Sequence, residues 1–248
     1  MVNHSKINLS IIVPTFNEEG GIGKAISEIH RDLTKPAFKK TVSNSELLIV
    51  DDGSYDKTAD ILKNLKNKFK FKLIKHKSNQ GLGASIITGV QHATYEYVTY
   101  LPADGQVFLR EIIPGLKKAS YADLILTYRV NKIDYNPYRH VLSNALTFAM
   151  KLFFGLNYID YNWVHIYKRN LFKDIKVKSQ GVFFLGEIIV RIHEEGYKIL
   201  EVKADYHPRT TGYSKNARLT VVLRTLKDLF ELWYELKVKL KLNAFFES

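Results

Sequence analysis

The chain has 248 residues, of which 46% are hydrophobic and 25% are charged, and it contains no cysteine. This composition is ordinary for a globular protein and excludes disordered, collagen-like and coiled-coil chains. Without cysteine there are no disulfides, thiolate metal sites or cysteine nucleophiles. The formal net charge of +12 indicates an acidic partner, such as nucleic acid, anionic lipid or a phosphorylated substrate.

Apolar runs and amphipathic segments alternate along the first half of the chain. Runs rich in Ile, Val and Leu that stop at turn residues predict five buried strands, over residues 7–13, 47–50, 72–75, 97–101 and 124–127. Periodic apolar positions between them predict helices over residues 21–33, 58–65 and 84–93. This alternation predicts an α/β fold with a mostly parallel sheet, whose ligands bind beyond the carboxyl ends of the strands.

The second half is less regular until its last segment. Helices are expected over residues 138–154 and 186–195, with a short strand at 199–202. The first of these helices has an apolar face, made by Val141, Leu142, Ala145, Leu146, Ala149 and Phe153. Residues 217–242 then predict one long amphipathic helix, because apolar side chains recur at steps of three and four: Leu219, Val222, Leu223, Leu226, Leu229, Phe230, Trp233, Leu236 and Leu240.

Two interpretations of the C-terminal helix stay open. In the first, the helix packs on the sheet or on a partner subunit, and in the latter case the protein would be a homo-oligomer. In the second, the helix lies in a membrane interface. In the second case Trp233 and Tyr234 lie at headgroup level, and Lys237, Lys239 and Lys241 meet anionic lipid.

A membrane-spanning segment is not expected. Residues 145–156 form the most apolar stretch, which is short and contains Lys151. The polar residues at the N-terminus are not typical of a signal peptide. We therefore expect a cytoplasmic protein that binds peripherally to the cytoplasmic face of the membrane.

Polar turns follow the predicted strands. Asp51-Asp52-Gly53-Ser54 follows the second strand, where a carboxylate can accept the ring N–H of a nucleotide base. The nearby Asp56 is interpreted as a helix cap. Gly81 and Gly83 precede a predicted helix, where backbone amides can approach an anion.

The fourth strand is followed by Asp104 and Gln106, whose two side-chain oxygens can bind one hard cation that bridges a diphosphate. Each of these three turns is a weak signal when it stands alone.

Together, the turns resemble the family 2 glycosyltransferases of the GT-A fold. The matching segments, in order and spacing, are residues 10–19 (SIIVPTFNEE), 49–54 (IVDDGS), 79–83 (NQGLG) and 103–106 (ADGQ). Further along, Tyr128-Arg129, Arg139 with Ser143, and residues 209–215 (RTTGYSK) are similar to the dolichyl- and polyprenyl-phosphate sugar synthases.

The resemblance implies a Rossmann-like GT-A domain over residues 1–215, with a mostly parallel sheet flanked by helices. Residues 216–248 would form an amphipathic membrane-interfacial or oligomerisation helix. The resemblance also implies inverting transfer of a hexose from a nucleotide-diphosphate sugar to a polyprenyl or dolichyl phosphate. The donor would be of the GDP-mannose or UDP-glucose type.

The resemblance implies three groups of site residues as well. The nucleotide sugar would be held by Pro14, Thr15, Asn17, Glu18, Asp52, Gly81 and Asp104. Mg²⁺ or Mn²⁺ would be bound by Asp104 and Gln106. The acceptor phosphate would meet Arg129, Arg139, Ser143, Arg209 and Lys215, and the catalytic residues would be Asp104, Arg129, Arg139 and Arg209.

Two departures from the family pattern keep alternatives open. Pro102 stands where the family usually has an Asp that serves the metal or the ribose. The stretch 160–169 lacks the usual glycine before its aromatic residue. One alternative is transfer to a non-lipid hydroxyl, with Asp160 or Glu187 as general base. Another is a catalytically inactive membrane-surface binding module of the same fold, which Pro102 favours. A nucleic-acid partner is not expected, because no recognisable nucleic-acid module is present.

Overall fold

The computed structural model describes residues 6–130, 137–207 and 219–239. One seven-stranded sheet organises this part of the chain, in the order β3-β2-β1-β4-β6-β5-β7. Its strands are β1 (Ile7–Thr15), β2 (Val42–Asp51), β3 (Lys72–Lys75), β4 (Tyr97–Tyr100), β5 (Leu124–Arg129), β6 (His165–Lys168) and β7 (Ile199–Ala204). Only β6 runs antiparallel to its neighbours, β4 and β5. The carboxyl ends of the other six strands therefore meet at one edge of the sheet, which the fold class predicts to be the ligand-binding edge.

Helices cover the sheet. They are α1 (Ile22–Leu33), α2 (Pro36–Thr41), α3 (Thr58–Leu65), α4 (Leu82–His92), α5 (Ile113–Leu116), α6 (Pro137–Phe154), α7 (Leu171–Asp174), α8 (Phe184–Glu194) and α9 (Leu219–Trp233). Short 3₁₀ turns lie at Leu109–Ile112 and Ala119–Tyr121, and a π-helical segment, Tyr234–Lys239, continues α9. The predicted mostly parallel α/β fold is confirmed.

The core lies on both faces of the central strands. Leu9, Ile11 and Val13 of β1 are fully buried, as are Leu48 and Ile49 of β2. Strands buried on both faces read as continuous apolar runs, which is why these two were evident in the sequence.

The helix α4 approaches β1 so closely that a side chain at Gly89 could not be accommodated. A Cβ there would lie 2.4 Å from Ile12 Cγ2. The small residue thus sets the depth at which α4 packs against the sheet.

The sequence located most elements but not all their bounds. The strand β2 begins at Val42, ahead of the predicted residue 47. The strand β6 was not predicted, because four residues inside a motif-like stretch give too short a pattern to read. The predicted division at residue 215 falls outside the described residues and stays a prediction.

The apolar faces of α6 and α9 are only partly covered. In α6 the buried side chains are Met150 and Phe154, whereas Val141 of the predicted apolar face is 65% exposed. Among the residues of α9 whose burial is described, 220–233, Leu229 and Leu232 are buried, and Trp233 packs edge-on against Phe153 of α6. One face of α9 therefore packs on α6, and packing on the sheet or on a partner subunit stays a prediction. In the described part of the chain, no helix has the length and apolarity needed to cross a bilayer.

Candidate active site

Two loops at the carboxyl edge of the sheet are joined by side-chain hydrogen bonds. Asn17, after β1, has a positive φ of 54°. Its backbone N–H donates to Ser54 Oγ at 3.1 Å, and its Oδ1 accepts the N–H of Tyr55 at 3.1 Å. The N–H of Glu18 donates to Thr58 Oγ1 at 2.9 Å. Asn17, expected at the nucleoside, therefore also holds the loops after β1 and β2 in one arrangement.

Neighbouring residues complete this edge. Thr15 ends β1, and its carbonyl accepts the N–H of Asp52 at 2.9 Å, with Pro14 just before it. Asp56 Oδ1 accepts the N–H of Thr58, the first residue of α3, at 2.9 Å. The N-cap position of α3 is nevertheless Lys57, which makes no side-chain capping bond, so Asp56 braces the turn before the helix and the predicted capping role is wrong in its position.

Asp52 organises the glycine loop before α4. Its Oδ1 accepts the N–H of Gln80 at 2.9 Å, and its Oδ2 accepts the N–H of Gly81 at 2.8 Å. The ring of His76 lies between Asp52 Oδ1, 2.7 Å from Nδ1, and Thr88 Oγ1, 2.9 Å from Nε2. Asp52 and Gly81, predicted separately as donor-binding residues, are thus directly bonded.

Asp104 and Gln106 follow β4 and are 6% and 8% exposed. Asp104 Oδ1 accepts the N–H of Gln106 at 3.1 Å, which fixes the turn between them. Gln106 Nε2 donates to the hydroxyl of Tyr206 at 2.8 Å, and this bond holds the carboxamide in place beside Asp104. No group of three His, Asp or Glu side chains arranged for a metal ion occurs within the described residues.

Arg129 ends β5 and forms a two-bond pair with Asp160. Its Nε donates to Asp160 Oδ2 at 2.7 Å, and its Nη2 donates to Oδ1 at 2.9 Å. The guanidinium lies over the rings of Trp163, 4.5 Å from the centroid, and Tyr206, at 5.8 Å. Both charged residues are nearly buried. Tyr206 contacts both Gln106 and Arg129, so it joins the two parts of the site.

A cavity of about 180 Å³ opens between α6 and α9. It brings together Arg129, Arg139 and Ser143, the three residues predicted to meet the acceptor phosphate that lie within the described part of the chain. Its remaining walls are mainly aliphatic: Leu142, Ala145, Leu146, Ala149, Val182, Val222, Leu226 and Leu229. Arg209 and Lys215 lie outside the described residues.

Tyrosines at the site remain neutral. Burial raises the pKa of Tyr161, which lines the cavity, to about 12. Burial likewise raises the pKa of Tyr100, which lies in the field of Arg129, Asp160 and Asp104. Neither phenol is ionised at neutral pH, so the anionic groups here are carboxylates.

Comparison with known proteins decides the family. The model for glycosyl transferase family 2 matches residues 10–176, which is more than half of the chain. The chain belongs to glycosyl transferase family 2. It is a glycosyltransferase with the GT-A fold, as the order of its loops predicted.

Three family 2 relatives show what the chain is similar to. An uncharacterized protein of Methanocaldococcus jannaschii is 27% identical over 236 residues, covering 88% of this chain and 98% of the relative. Dodecaprenyl-phosphate galacturonate synthase of Rhizobium johnstonii is 23% identical over 248 residues, covering 98% of this chain and 71% of the relative. Cholesterol galactosyltransferase of Borreliella burgdorferi is 26% identical over 75% of this chain, which spans about half, 54%, of that relative.

Solved structures of two other enzymes share the fold. Glucosyl-3-phosphoglycerate synthase from Mycobacterium tuberculosis, in complex with Mn²⁺, UDP and glucosyl-3-phosphoglycerate, superposes with a TM-score of 0.70 at 14% identity, covering 91% of this chain and 80% of that one. Mannosyl-3-phosphoglycerate synthase from Rubrobacter xylanophilus superposes with a TM-score of 0.71 at 13% identity, covering 91% of this chain and 73% of that one.

Three residues of this family 2 site were missed by sequence reasoning. The sequence gives no pattern that singles out His76, although this residue directly follows β3 at the carboxyl edge of the sheet. Asp160 was considered only as a base, and its pairing with Arg129 joins positions 31 residues apart. Tyr206 carried no sequence signal, because its role depends on contacts with residues distant in sequence.

Proposed function

We propose that this chain is an inverting glycosyltransferase that moves a hexose from a nucleotide-diphosphate sugar to a polyprenyl or dolichyl phosphate. The observation that carries the proposal is the cavity between α6 and α9, which combines two guanidinium groups with aliphatic walls. Arginine suits a phosphate because its planar fork binds two oxygens at once. Aliphatic walls suit the chain attached to that phosphate and would gain little from a small polar acceptor.

The chemistry of this acceptor agrees with the groups present. A phosphate monoester has a second pKa of about 6 and is mostly dianionic at neutral pH, so it needs no general base. The carboxylates near the cavity have other partners: Asp160 is paired with Arg129, and Glu187 accepts two backbone N–H groups and the Arg191 side chain. What the reaction needs instead is cations that bring two anions together. Arg139 can do this, with Arg129 beside it, although Asp160 offsets part of the charge of Arg129.

The donor side fits a divalent cation. The oxygens of Asp104 and Gln106 would hold Mg²⁺ or Mn²⁺, a hard ion that commonly takes one or two protein oxygens and completes its shell with phosphate and water. When bound, such an ion neutralises charge that develops on the departing diphosphate. Tyr206 orients Gln106 for this task. The absence of a carboxylate at Pro102 leaves two protein oxygens, which is enough in the presence of the donor.

A membrane surface is the place where such an acceptor is found. Both helices beside the cavity carry apolar side chains that are about half exposed or more: Tyr138, Val141, Phe148 and Leu152 on α6, and Leu223, Leu226, Phe230 and Tyr234 on α9 and its extension. Lys151 and Lys227 lie on the same two helices and suit anionic headgroups. We therefore propose peripheral attachment to the cytoplasmic leaflet through both helices, rather than through α9 alone.

Transfer of label from a nucleotide sugar into an organic extract tests the proposal. The protein is incubated with Mn²⁺, a polyprenyl phosphate and either UDP-glucose or GDP-mannose, each labelled in the sugar. We expect label in the organic phase with one donor, in the inverted anomer, and none without the lipid phosphate. Label only in water-soluble product would favour a non-lipid hydroxyl acceptor. Donor binding with neither transfer nor hydrolysis would favour the inactive binding module, the alternative that Pro102 supports.

A further inference from the structure

A short loop before α8, residues 178–181, lies between the C-terminal helix and the donor side of the site. The carboxylate of Glu187 fixes its backbone, because Oε2 accepts the N–H of Ser179 at 2.7 Å and Oε1 accepts the N–H of Lys178 at 3.0 Å. Glu187 is 3% exposed, and Arg191 Nε donates to it at 2.8 Å. The start of the 178–181 loop is therefore held rigidly to α8.

The end of the 178–181 loop rests on the glycine loop that Asp52 organises. Gly81 has a positive φ of 95°, and a Cβ at this position would lie 3.0 Å from the carbonyl oxygen of Gln180. On its other side, the N–H of Gly81 donates to Asp52 Oδ2. A Cβ at Gly83 would lie 2.6 Å from the ring of Phe184, the first residue of α8. The glycine loop is therefore enclosed between Asp52 and the 178–181 segment.

The same loop is bonded to the C-terminal helix. Ser179 Oγ donates to Asp228 Oδ2 at 2.6 Å. Asp228 is on α9, one residue before Leu229, which lines the cavity. Lys178 also pairs with Glu235 at 2.8 Å, but its side chain is 68% exposed, so that ion pair contributes little. The Ser179–Asp228 bond is the partly buried contact by which α9 restrains the loop.

We propose that Ser179 and Asp228 are positioning residues of the donor site, which make affinity for a nucleoside diphosphate depend on the C-terminal helix. The inference rests on the proposed function for the use of Asp52 and Gly81 by the donor. With the bond intact, Gln180 is held against Gly81, and the amides of the glycine loop are preorganised. Without it, the loop must be ordered when the donor binds, and that ordering weakens binding.

Binding of UDP and of GDP in the presence of Mn²⁺, measured by calorimetry on the full chain, tests this. Ser179→Ala and Asp228→Ala should each weaken binding by about threefold to tenfold, which lies within the range of effects seen for residues that act through others. The double variant should be no weaker than either single one, because both remove the same bond. Ser179→Thr keeps the hydroxyl and should bind like the wild type.

Lys237→Ala is the matched control. Lys237 follows α9 and pairs with Glu194 of α8 at 2.7 Å, so its loss loosens the same helix without touching the 178–181 loop. Nucleotide affinity should not change in this variant. Equal weakening in Lys237→Ala and Ser179→Ala would overturn the inference, because a general loosening of the helix would then suffice.

Hydrogen exchange without nucleotide gives a readout that does not depend on binding. The amides of Gln80 and Gly81 should exchange faster in Ser179→Ala than in Lys237→Ala. Unchanged affinity and unchanged exchange in Ser179→Ala, with a wild type that binds, overturn the inference alone. A wild type that binds neither UDP nor GDP contradicts the proposed function, and the inference fails with it.

Discussion

Arg129 and Asp160 form a two-bond ion pair across the site, with Nε–Oδ2 at 2.7 Å and Nη2–Oδ1 at 2.9 Å, and both side chains are nearly buried. The pair holds the guanidinium over Trp163 at the floor of the cavity between α6 and α9. Asp160 therefore fixes Arg129 at the cavity that we propose for the acceptor.

Breaking this pair should destabilise the protein. Asp160→Leu leaves a buried guanidinium without its carboxylate, which typically lowers the free energy of unfolding by about 3–5 kcal/mol. Urea denaturation measures the loss. The control is the double variant Arg129→Met/Asp160→Leu, which should regain most of the stability yet lose transfer. Equal instability of the double and single variants would contradict this account of the pair.

The backbone of Asn17 gives a second stability prediction. Asn17→Ala forces a residue with a Cβ and no local hydrogen bond into the left-handed region, at a cost of about 1–2 kcal/mol, and removes the acceptor for the Tyr55 amide. Asn17→Gly removes only the acceptor and should be the more stable of the two variants. The melting temperatures of the two variants test this prediction. A melting temperature of Asn17→Ala equal to or above that of Asn17→Gly would show that the left-handed backbone conformation of residue 17 contributes little to stability.

The fully buried His165 predicts a pH dependence of stability. Burial lowers its pKa to about 4 from the usual 6.5, so the folded protein stays neutral there while the unfolded chain takes up a proton. The stabilisation that His165 contributes is therefore fully present above pH 6.5. As the pH drops from 6.5 toward 4, the free energy of unfolding falls by about 3 kcal/mol because of this residue.

The control for this prediction is His165→Phe, which cannot titrate. Denaturation between pH 7 and pH 4 should show a smaller loss in the variant than in the wild type. Parallel curves for the two proteins would contradict the assignment to His165.

Membrane attachment is tested by charge placed on each exposed apolar face. Phe148→Glu on α6 and Phe230→Glu on α9 should each reduce co-sedimentation with vesicles containing anionic lipid, since burial of a Phe contributes about 1.5–3 kcal/mol. Tyr121→Glu is the control, because Tyr121 is exposed at the amino end of β5. If only Phe230→Glu reduces co-sedimentation, the membrane contact involves α9 and not α6.

Some residues of the site could be predicted from the sequence because they belong to local patterns, and others could not. Asp52, Gly81, Asp104 and Gln106 lie in the loops that follow β2, β3 and β4, and parallel strands bring such loops to one edge, so local patterns could predict their placement. The pairing of Arg129 with Asp160 and the contact of Gln106 with Tyr206 depend on packing between distant segments. No local pattern encodes those contacts.

The helices α6 and α9 illustrate the same limit. Periodicity correctly located both helices, but it could not tell a face that packs on the protein from one left exposed. Val141 and Phe230 have the spacing of core residues and are exposed, whereas Leu232 lies outside the predicted stripe and is buried. Exposed apolar stripes of this kind are typical of surfaces that bind an apolar partner, which is the basis of the proposed membrane contact.

The most direct test of the central claim is to block the cavity. Ala145 lines it, and the adjacent Asn144 is exposed and does not. Transfer from a labelled nucleotide sugar to polyprenyl phosphate is measured for Ala145→Trp and Asn144→Trp, together with nucleotide affinity. We predict that Ala145→Trp loses transfer and keeps nucleotide affinity, while Asn144→Trp keeps both. Undiminished transfer by Ala145→Trp would contradict the assignment of this cavity to the lipid phosphate.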